Sequence, residues 1–515
     1  MRSTFMTPGK LVMAFLILLA VLISCARAIA LDSKPWLPSA PLLAPEAGGQ
    51  SEPLAEKSLL APTRPIRSSG PVPTPDAPHR LPALRSDVEE YQVRPGDTLN
   101  QIAQRYTVAV EDIVQANALS APDLLEVGQL LVIPPPKPGA AGPSFKIIPD
   151  SELVYGPASA DFNPAAFIQE KGGYLSNYSE ELEGDSWSGA EIVERISQEY
   201  SVNPRLLLAV LEYQSQWVTN SNAAEDTLTY PIGIYDSWRT GLYRQLAWAA
   251  DRLNRGYYLW RINALAAWNL PDGSVVPIVP TINAGTAALQ HLFSQLYERE
   301  GWERAVSEKG LFATYSAFFG YPFNWGIEPL LPPNLTQPPL QLPFQPGETW
   351  RFTGGPHGGW GSGSAWAALD FAPPGKPLGC VQSDAWVVAI ADGLILRAQN
   401  GAVVQDLDGD GLEQTGWTIL YMHIESQGRV NPGTFVQTGE RIGHPSCEGG
   451  VSTGTHLHLA RRYNGEWIPA DQSIPFVLDG WVSRGLRNEY DGYLDRDGET
   501  IEALEGENPK NEIQR

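Results

Sequence analysis

Hydrophobic and polar positions follow a different rhythm in each stretch of this 515-residue chain, and each rhythm predicts a different kind of element. A basic and polar start gives way to an unbroken apolar run, Leu11 to Ser24, shorter than the ~20 residues a helical bilayer span needs. Residues 31–90 are dense in Pro, Ala and Ser and show no periodicity. They cannot bury enough apolar surface to offset ordering, so they read as a semi-extended spacer. In 91–135, Tyr91 to Val93 form a short strand, and Leu99, Ile102, Ala103 and Tyr106 share one face of a helix capped by Asp97 or Thr98. Val110, Ile113 and Val114 start a second helix, and Leu130 to Ile133 close with a strand. Helical spacing dominates 150–330, where Ser188 to Glu191 form a capping box and Asn203-Pro204 pairs an N-cap with a first-turn proline. A second Pro-rich stretch, 331–346, precedes 347–482, whose alternating apolar runs between glycine-rich turns predict a mostly antiparallel β domain with long loops. The extension 483–515 ends in a charged tail expected to fray after about Leu504.

The length implies about three domains plus linkers on a prior of ~150 residues each. A formal net charge of −22 and an isoelectric point near 4.8 argue against nucleic acid and anionic headgroups as partners, since both would be repelled. Residues 1–30 read as a signal peptide. Within it Leu22-Ile23-Ser24-Cys25 resembles the bacterial lipobox, which implies lipid modification of Cys25; conventional cleavage near Ala28 or Ala30 is the competing outcome. Both outcomes export the chain, to the cell envelope as an anchored lipoprotein or outside the cell, and membrane contact runs only through the lipid. Cys380 and Cys447 then remain in a compartment that permits disulfides, where a bridge between them is expected. Three cysteines cannot build a four-thiolate zinc site, so a metal would have to rest on histidines and carboxylates.

The run Val93-x-Pro95-Gly96-Asp97-Thr98-Leu99, the pair Ile102-Ala103, Asn117, and Gly128-Gln129 before Leu131-x-Ile133-Pro134 closely resemble a LysM domain, a small α+β module. The resemblance implies binding of N-acetylglucosamine-containing glycan between two loops, here Gly96, Asp97, Thr98 and Leu99 on one side and Pro122 to Leu125 on the other. By residue type alone Gly96 and Asp97 are turn and cap residues first.

In the middle region the run Val202 to Trp217 is similar to the helix of soluble lytic transglycosylases that ends in Glu-Ser before an aromatic. The family's general-acid position is occupied here by Gln214, which has no proton to give to a glycosidic oxygen. Glu212 lies two residues earlier, about 200° around a helix, and does not replace it. The resemblance therefore implies a degenerate, mainly α, lysozyme-like domain. Trp238, Tyr243, Trp248, Tyr257, Trp260 and Trp268 are candidates to line a residual sugar cleft, although each aromatic alone is first a core residue.

Five of the seven histidines fall in the β domain, and four of them, His357, His423, His456 and His458, are the candidates for chemistry. His79, His291 and His444 read as structural or solvated. Thr455-His456-Leu457-His458-Leu459 alternates like a strand, which puts His456 and His458 on one face. A strand from Trp417 to Met422 leads to His423, Asp370 sits in the short apolar run Ala368 to Phe371, and His357 precedes it in a glycine-rich loop. This constellation resembles zinc peptidases of the lysostaphin/LytM type, which carry a His and Asp pair, a later His and a His-x-His. The thirteen-residue step from His357 to Asp370 resembles the beta-lytic subgroup, whose loop is longer. The resemblance implies Zn2+ held by His357, Asp370 and His458, with His423 and His456 handling the proton and the oxyanion. It implies a metalloendopeptidase cutting peptidoglycan peptides or cross-bridges, targeted by the LysM module. The alternative is a non-catalytic wall-binding or hydrolase-regulating protein. Asp392 is a turn residue. Asp406, Asp408 and Asp410 alternate as in an EF-hand calcium loop, but Trp417 stands where the bidentate glutamate belongs, which leaves Ca2+ as a candidate beside a solvated acidic turn.

Overall fold

The computed structural model describes residues 78–119, 125–375 and 379–515. The expected signal peptide with Cys25, the spacer through residue 77, and residues 122–124 of the second LysM loop lie outside the described residues. The described residues belong to one compact unit.

The first module closes on β1 (Glu89–Gln92) paired antiparallel with β2 (Leu130–Ile133). The helices Leu99–Tyr106 and Val110–Ala116 pack across them, burying Ile102, Ile113, Leu131 and Ile133 completely. Thr98 is the N-cap, in a reciprocal capping box with Gln101. Asp97 does a different job, accepting from the Arg94 N–H and the Tyr91 hydroxyl, which tightens the turn ahead of the helix.

The middle region is helical, with short hairpins β3–β4 (Ser179–Leu182, Asp185–Ser188) and β5–β6 (Ala267–Asn269, Val275–Pro277). The Ser188–Glu191 capping box opens the helix Gly189–Tyr200, and the Asn203 side chain caps Pro204–Ser215. The helices Leu242–Arg261 and Ala284–Ser294 complete the centre of the core. Tyr257, Trp260 and Trp268 are buried in that core instead of lining a cleft, while Trp238 is 82% exposed. Among the expected cleft aromatics, Tyr243 spends its hydroxyl on Glu199.

The C-terminal region is built from β7 (Thr349–His357), β8 (Ala368–Ala372), β9 (Val387–Val388), β10 (Gly393–Gln399), β11 (Ala402–Asp406), β12 (Trp417–Met422), β13 (Phe435–Val436), β14 (Arg441–Gly443), β15 (Leu457–Tyr463) and β16 (Glu466–Trp467). It continues through β17 (Val477–Leu478), β18 (Trp481–Gly485), β19 (Gly492–Arg496), β20 (Glu499–Glu502) and β21 (Glu512–Gln514). The main antiparallel sheet runs β13-β10-β11-β12-β15-β8-β7-β21, with β16 beside β15. The tail after Leu504 does not fray: β21 pairs with β7 and buries Ile513, an apolar anchor among charged neighbours. The Pro-rich stretch is likewise more than a linker, because Leu342 and Phe344 are fully buried in the β core.

Strand alternation sorts the side chains of this sheet onto two faces. Leu369, Phe371, Tyr421, Leu457 and Leu459 point into the core of the β domain, under the small sheets β9–β14 and β17–β20. Ala368, Val404, Leu420 and Ala460 point the other way and join the core of the helical region, so helices cover part of that face. His458 and Asp370 share this second face by the same period of two. No helix among the described residues is long and apolar enough to cross a membrane.

Candidate metal centre

The register of three strands assembles the site. His458 stands directly opposite Asp370 on β8, and Gly354 of β7 opposes Asp370 from the other side. The β7–β8 register slips between Phe352 and Gly354 and again between Gly354 and His357. Such bulges re-aim side chains, and here the last residue of β7, His357, is turned toward the pair. His357 therefore ends a strand, with the glycine-rich loop following it. Gly354 is required by space: a Cβ there would lie 2.7 Å from Asp370 Oδ2.

Three ligand atoms converge. His357 Nε2 and His458 Nδ1 are 3.0 Å apart, and they lie 3.2 and 3.3 Å from Asp370 Oδ1. The opposite ring nitrogens meet backbone carbonyls, His357 Nδ1 at 2.8 Å from Gly355 O and His458 Nε2 at 3.1 Å from Gly359 O. A carbonyl only accepts, so those nitrogens carry the protons, and the facing nitrogens present lone pairs. Asp370 Oδ1 is buried without a hydrogen-bond donor. Two lone pairs and a carboxylate oxygen facing one another in a buried site repel unless a cation sits among them, so this donor set fits a divalent metal with nitrogen and oxygen preference, as zinc has. Burial favours the neutral form of Asp370, yet the neighbouring imidazoles hold it well below the usual carboxylate range. Burial also opposes the charged form of His357, yet the Asp370 carboxylate outweighs it and raises that pKa.

The other two histidines border this cluster. His423 follows β12 in a left-handed conformation, φ 64°, uncommon for a residue with a Cβ and a mark of an over-determined local structure. Its Nδ1 lies 3.0 Å from Glu448 O, and its ring centroid is 4.5 Å from that of His456. Burial, followed by the charges of His456 and His458, pushes its pKa down to about 3, so its ring is neutral at ordinary pH. His456 directs Nδ1 to Gly454 O at 2.8 Å and places Nε2 3.8 Å from Asp370 Oδ1. The Cys380–Cys447 disulfide, Cα–Cα 5.7 Å, ties down the segment before His456.

The second acidic cluster is different in kind. Asp406 is buried and accepts the N–H groups of Asp408, Gly409 and Gly411, and Asp410 accepts from Leu412 N–H and the Thr415 hydroxyl. Burial, reinforced by Asp406, raises Asp408 to about 7. The Asp406 and Asp410 carboxylates hold a turn together, and calcium gains no support from the cluster. In the LysM module Gly96 turns with φ 85° and is exposed, Thr98 caps the helix while remaining exposed, Asp97 is half-buried and Leu99 is buried. His79 stacks near Trp260, His291 is half-buried beside Trp268, and His444 packs on Trp386, all outside the cluster.

Sequence reasoning missed the support around the ligands. Tyr490, from the C-terminal extension, stacks on His357 with ring centroids 4.2 Å apart. Gly354 and the carbonyls of Gly355, Gly359 and Glu448 were equally invisible, because a backbone oxygen carries no residue-type signal.

With this geometry in hand, comparison with known proteins places the modules. Residues 91–134 match the family model for the LysM domain, 375–469 that for peptidase family M23, and 146–334 that for the LasA N-terminal domain. In its matched modules the chain is similar to LysM-containing metallopeptidases of the LytM type. The M23 match spans His423, His456 and His458 and begins after His357 and Asp370. The chain is 27% identical over 343 residues to protease LasA of Pseudomonas aeruginosa strain UCBPP-PA14, covering 62% of this chain and 74% of that protein. It is 29% identical over 173 residues to the beta-lytic metalloendopeptidase of Achromobacter lyticus, covering 31% and 43%. Among solved structures, the M23 metalloprotease pseudoalterin from the deep sea aligns with 35% of this chain and 99% of its own, at 25% identity and TM-score 0.28. The match of the middle region is to the LasA N-terminal domain, and it lends nothing to a lysozyme-like reading. The Gln214 amide oxygen there accepts from the Tyr297 hydroxyl, a structural use.

Proposed function

We propose that the protein is a zinc-dependent endopeptidase acting on peptidoglycan peptides or cross-bridges, exported to the cell envelope and held on glycan by its LysM module. The observation that carries this reading is the convergence of His357 Nε2, His458 Nδ1 and Asp370 Oδ1 in one buried site with every outer ring nitrogen already spent on a carbonyl. A metal-free binding module would leave that repulsive arrangement uncompensated.

His357, Asp370 and His458 would hold the zinc, which when bound supplies Lewis acidity toward a peptide carbonyl and toward water. The remaining chemistry belongs to the chain. The His423 Nδ1 donates to Glu448 O, which leaves the Nε2 lone pair free to face a substrate proton. His456 is oriented the same way by Gly454 O, so either ring, once protonated at Nε2, can donate to a developing oxyanion or to the departing amine. The recognition of wall material rests on the LysM match and on the relatives named as a protease and a beta-lytic metalloendopeptidase.

The test is zinc content of the purified chain together with release of new amino groups from purified cell walls, before and after a chelator and after zinc is returned. About one zinc per chain and chelator-sensitive amine release support the reading. Wall binding without amine release at full zinc occupancy would establish the non-catalytic alternative.

A further inference from the structure

We infer that Asp251, on the helix Leu242–Arg261 of the middle region, is a positioning residue of the metal centre, holding the loop that connects His357 to the rest of the ligand set. The inference rests on the zinc reading above and concerns a residue more than a hundred positions from the nearest ligand.

His458 and Asp370 are fixed by sheet register, whereas His357 ends a bulged strand and is followed by Gly358-Gly359-Trp360-Gly361-Ser362-Gly363. Four glycines in six residues give this stretch more backbone freedom than any other residue type would, and freezing it costs entropy. The loop also carries the carbonyl of Gly359, which accepts from His458 Nε2 and so aims His458 Nδ1 at the metal position. Holding this loop serves two of the three ligands at once.

The holding contacts come from the helical region. The Asp251 carboxylate accepts the Gly363 N–H at 2.7 Å and the Ser362 hydroxyl at 3.2 Å. Arg252, ion-paired to Asp251, also reaches Ser362 Oγ at 3.4 Å. The approach is so close that a Cβ on Gly363 would lie 1.9 Å from the Asp251 carbonyl oxygen, and one on Gly361 2.8 Å from its Oδ1. These glycines are spaced for contact with the helix. Around them Trp360 meets Tyr200 edge-on, and the Trp467 ring lies under Gly359. Trp467 is held by the helical region too, since its N–H donates to the Tyr258 hydroxyl and its Nε1 to Tyr200 O. Asp251 is buried, so its loss strands the Gly363 N–H away from water.

The experiment uses the full chain and measures zinc affinity by competition with a chelator, alongside amide hydrogen exchange of residues 358–365. Asp251→Ala should weaken zinc affinity by roughly 10- to 100-fold, the range for outer partners of metal ligands, and speed exchange in the loop. Asp251→Asn keeps an acceptor for the Gly363 N–H and should restore near-wild-type affinity, which a role in fold stability through charge alone would not do. Folded Asp251→Ala with unchanged zinc affinity overturns the inference. Should that variant fail to fold, Ser362→Ala decides: a fall of about 5-fold, one hydrogen bond's worth, supports the clamp and no change overturns it. Wild-type chain that binds no zinc would instead overturn the zinc reading, and this inference with it.

Discussion

Two groups of three potential ligands stand in this molecule, His357 with Asp370 and His458, and Asp406 with Asp408 and Asp410, each with its ligand atoms within 4.8 Å. By proximity they are equivalent. By hydrogen bonding they are opposites. In the first group the carbonyls of Gly355 and Gly359 take the outer ring protons, so unsatisfied acceptors face inward. In the second, Asp406 spends both carboxylate oxygens on three backbone N–H groups, and Asp410 is held by Leu412 and Thr415. A metal site is distinguished from an acidic turn by where the neighbouring donors go, and closeness of the ligands does not decide it.

The largest effect expected from this contrast is in the first group. His458→Ala or Asp370→Ala should remove zinc and wall hydrolysis together, read as zinc per chain beside amine release. Next, His456→Ala and His423→Ala should keep near-stoichiometric zinc and lose roughly 10² to 10⁴ in rate, the usual contribution of a general acid-base group or an oxyanion donor. Loss of metal from His456→Ala with retention in His458→Ala would exchange the two roles.

In the second group Asp406→Ala should cost about 1–3 kcal/mol of stability, because it strands buried donors, while zinc content and hydrolysis stay unchanged. Added calcium should leave the melting temperature of the wild type where it is; a clear upward shift would erase the distinction between the clusters.

The effect confined to acid pH extends the comparison to a single imidazole. His357 is raised by its carboxylate, whereas His291 has no such partner: burial, then the charges of Arg252 and Arg255, push it from 6.5 down to about 3. A depressed imidazole makes the unfolded chain bind the extra proton, so its contribution is fully present above pH 6.5 and is lost as pH falls toward 3. The slope from one proton is at most about 1.4 kcal/mol per pH unit. His291→Leu should flatten the acid limb of the stability profile by that amount, measured by denaturant titration at several pH values. An unchanged slope would mean that His291 is protonated in the folded state.

Much of the site was legible because its signals are local. His456 and His458 sit two apart in an alternating run, and a strand with its period of two must put them on one face. Thr98 with Gln101, Ser188 with Glu191, and Asn203 with Pro204 announced helix starts through side chains that reach only three residues. The tail and the second Pro-rich stretch were misread for the opposite reason. Ile513 and Phe344 look like lone apolar residues in polar or proline-rich surroundings, and their burial depends on strands more than 150 residues away for Ile513 and on β9 for Phe344. The middle region's aromatics show the same limit, since composition cannot tell the buried Trp260 from the exposed Trp238.

Residue order alone carried the antiparallel β character of the C-terminal region and the residue types able to hold a metal and move a proton, because periodicity and capping are properties of neighbours along the chain. Folding in three dimensions set which ring nitrogens face inward, stacked Tyr490 on His357, and brought Asp251 of one region onto the glycine loop of another. Those outcomes depend on backbone carbonyls, register slips and contacts between distant segments, and none of these leaves a mark in the order of side chains.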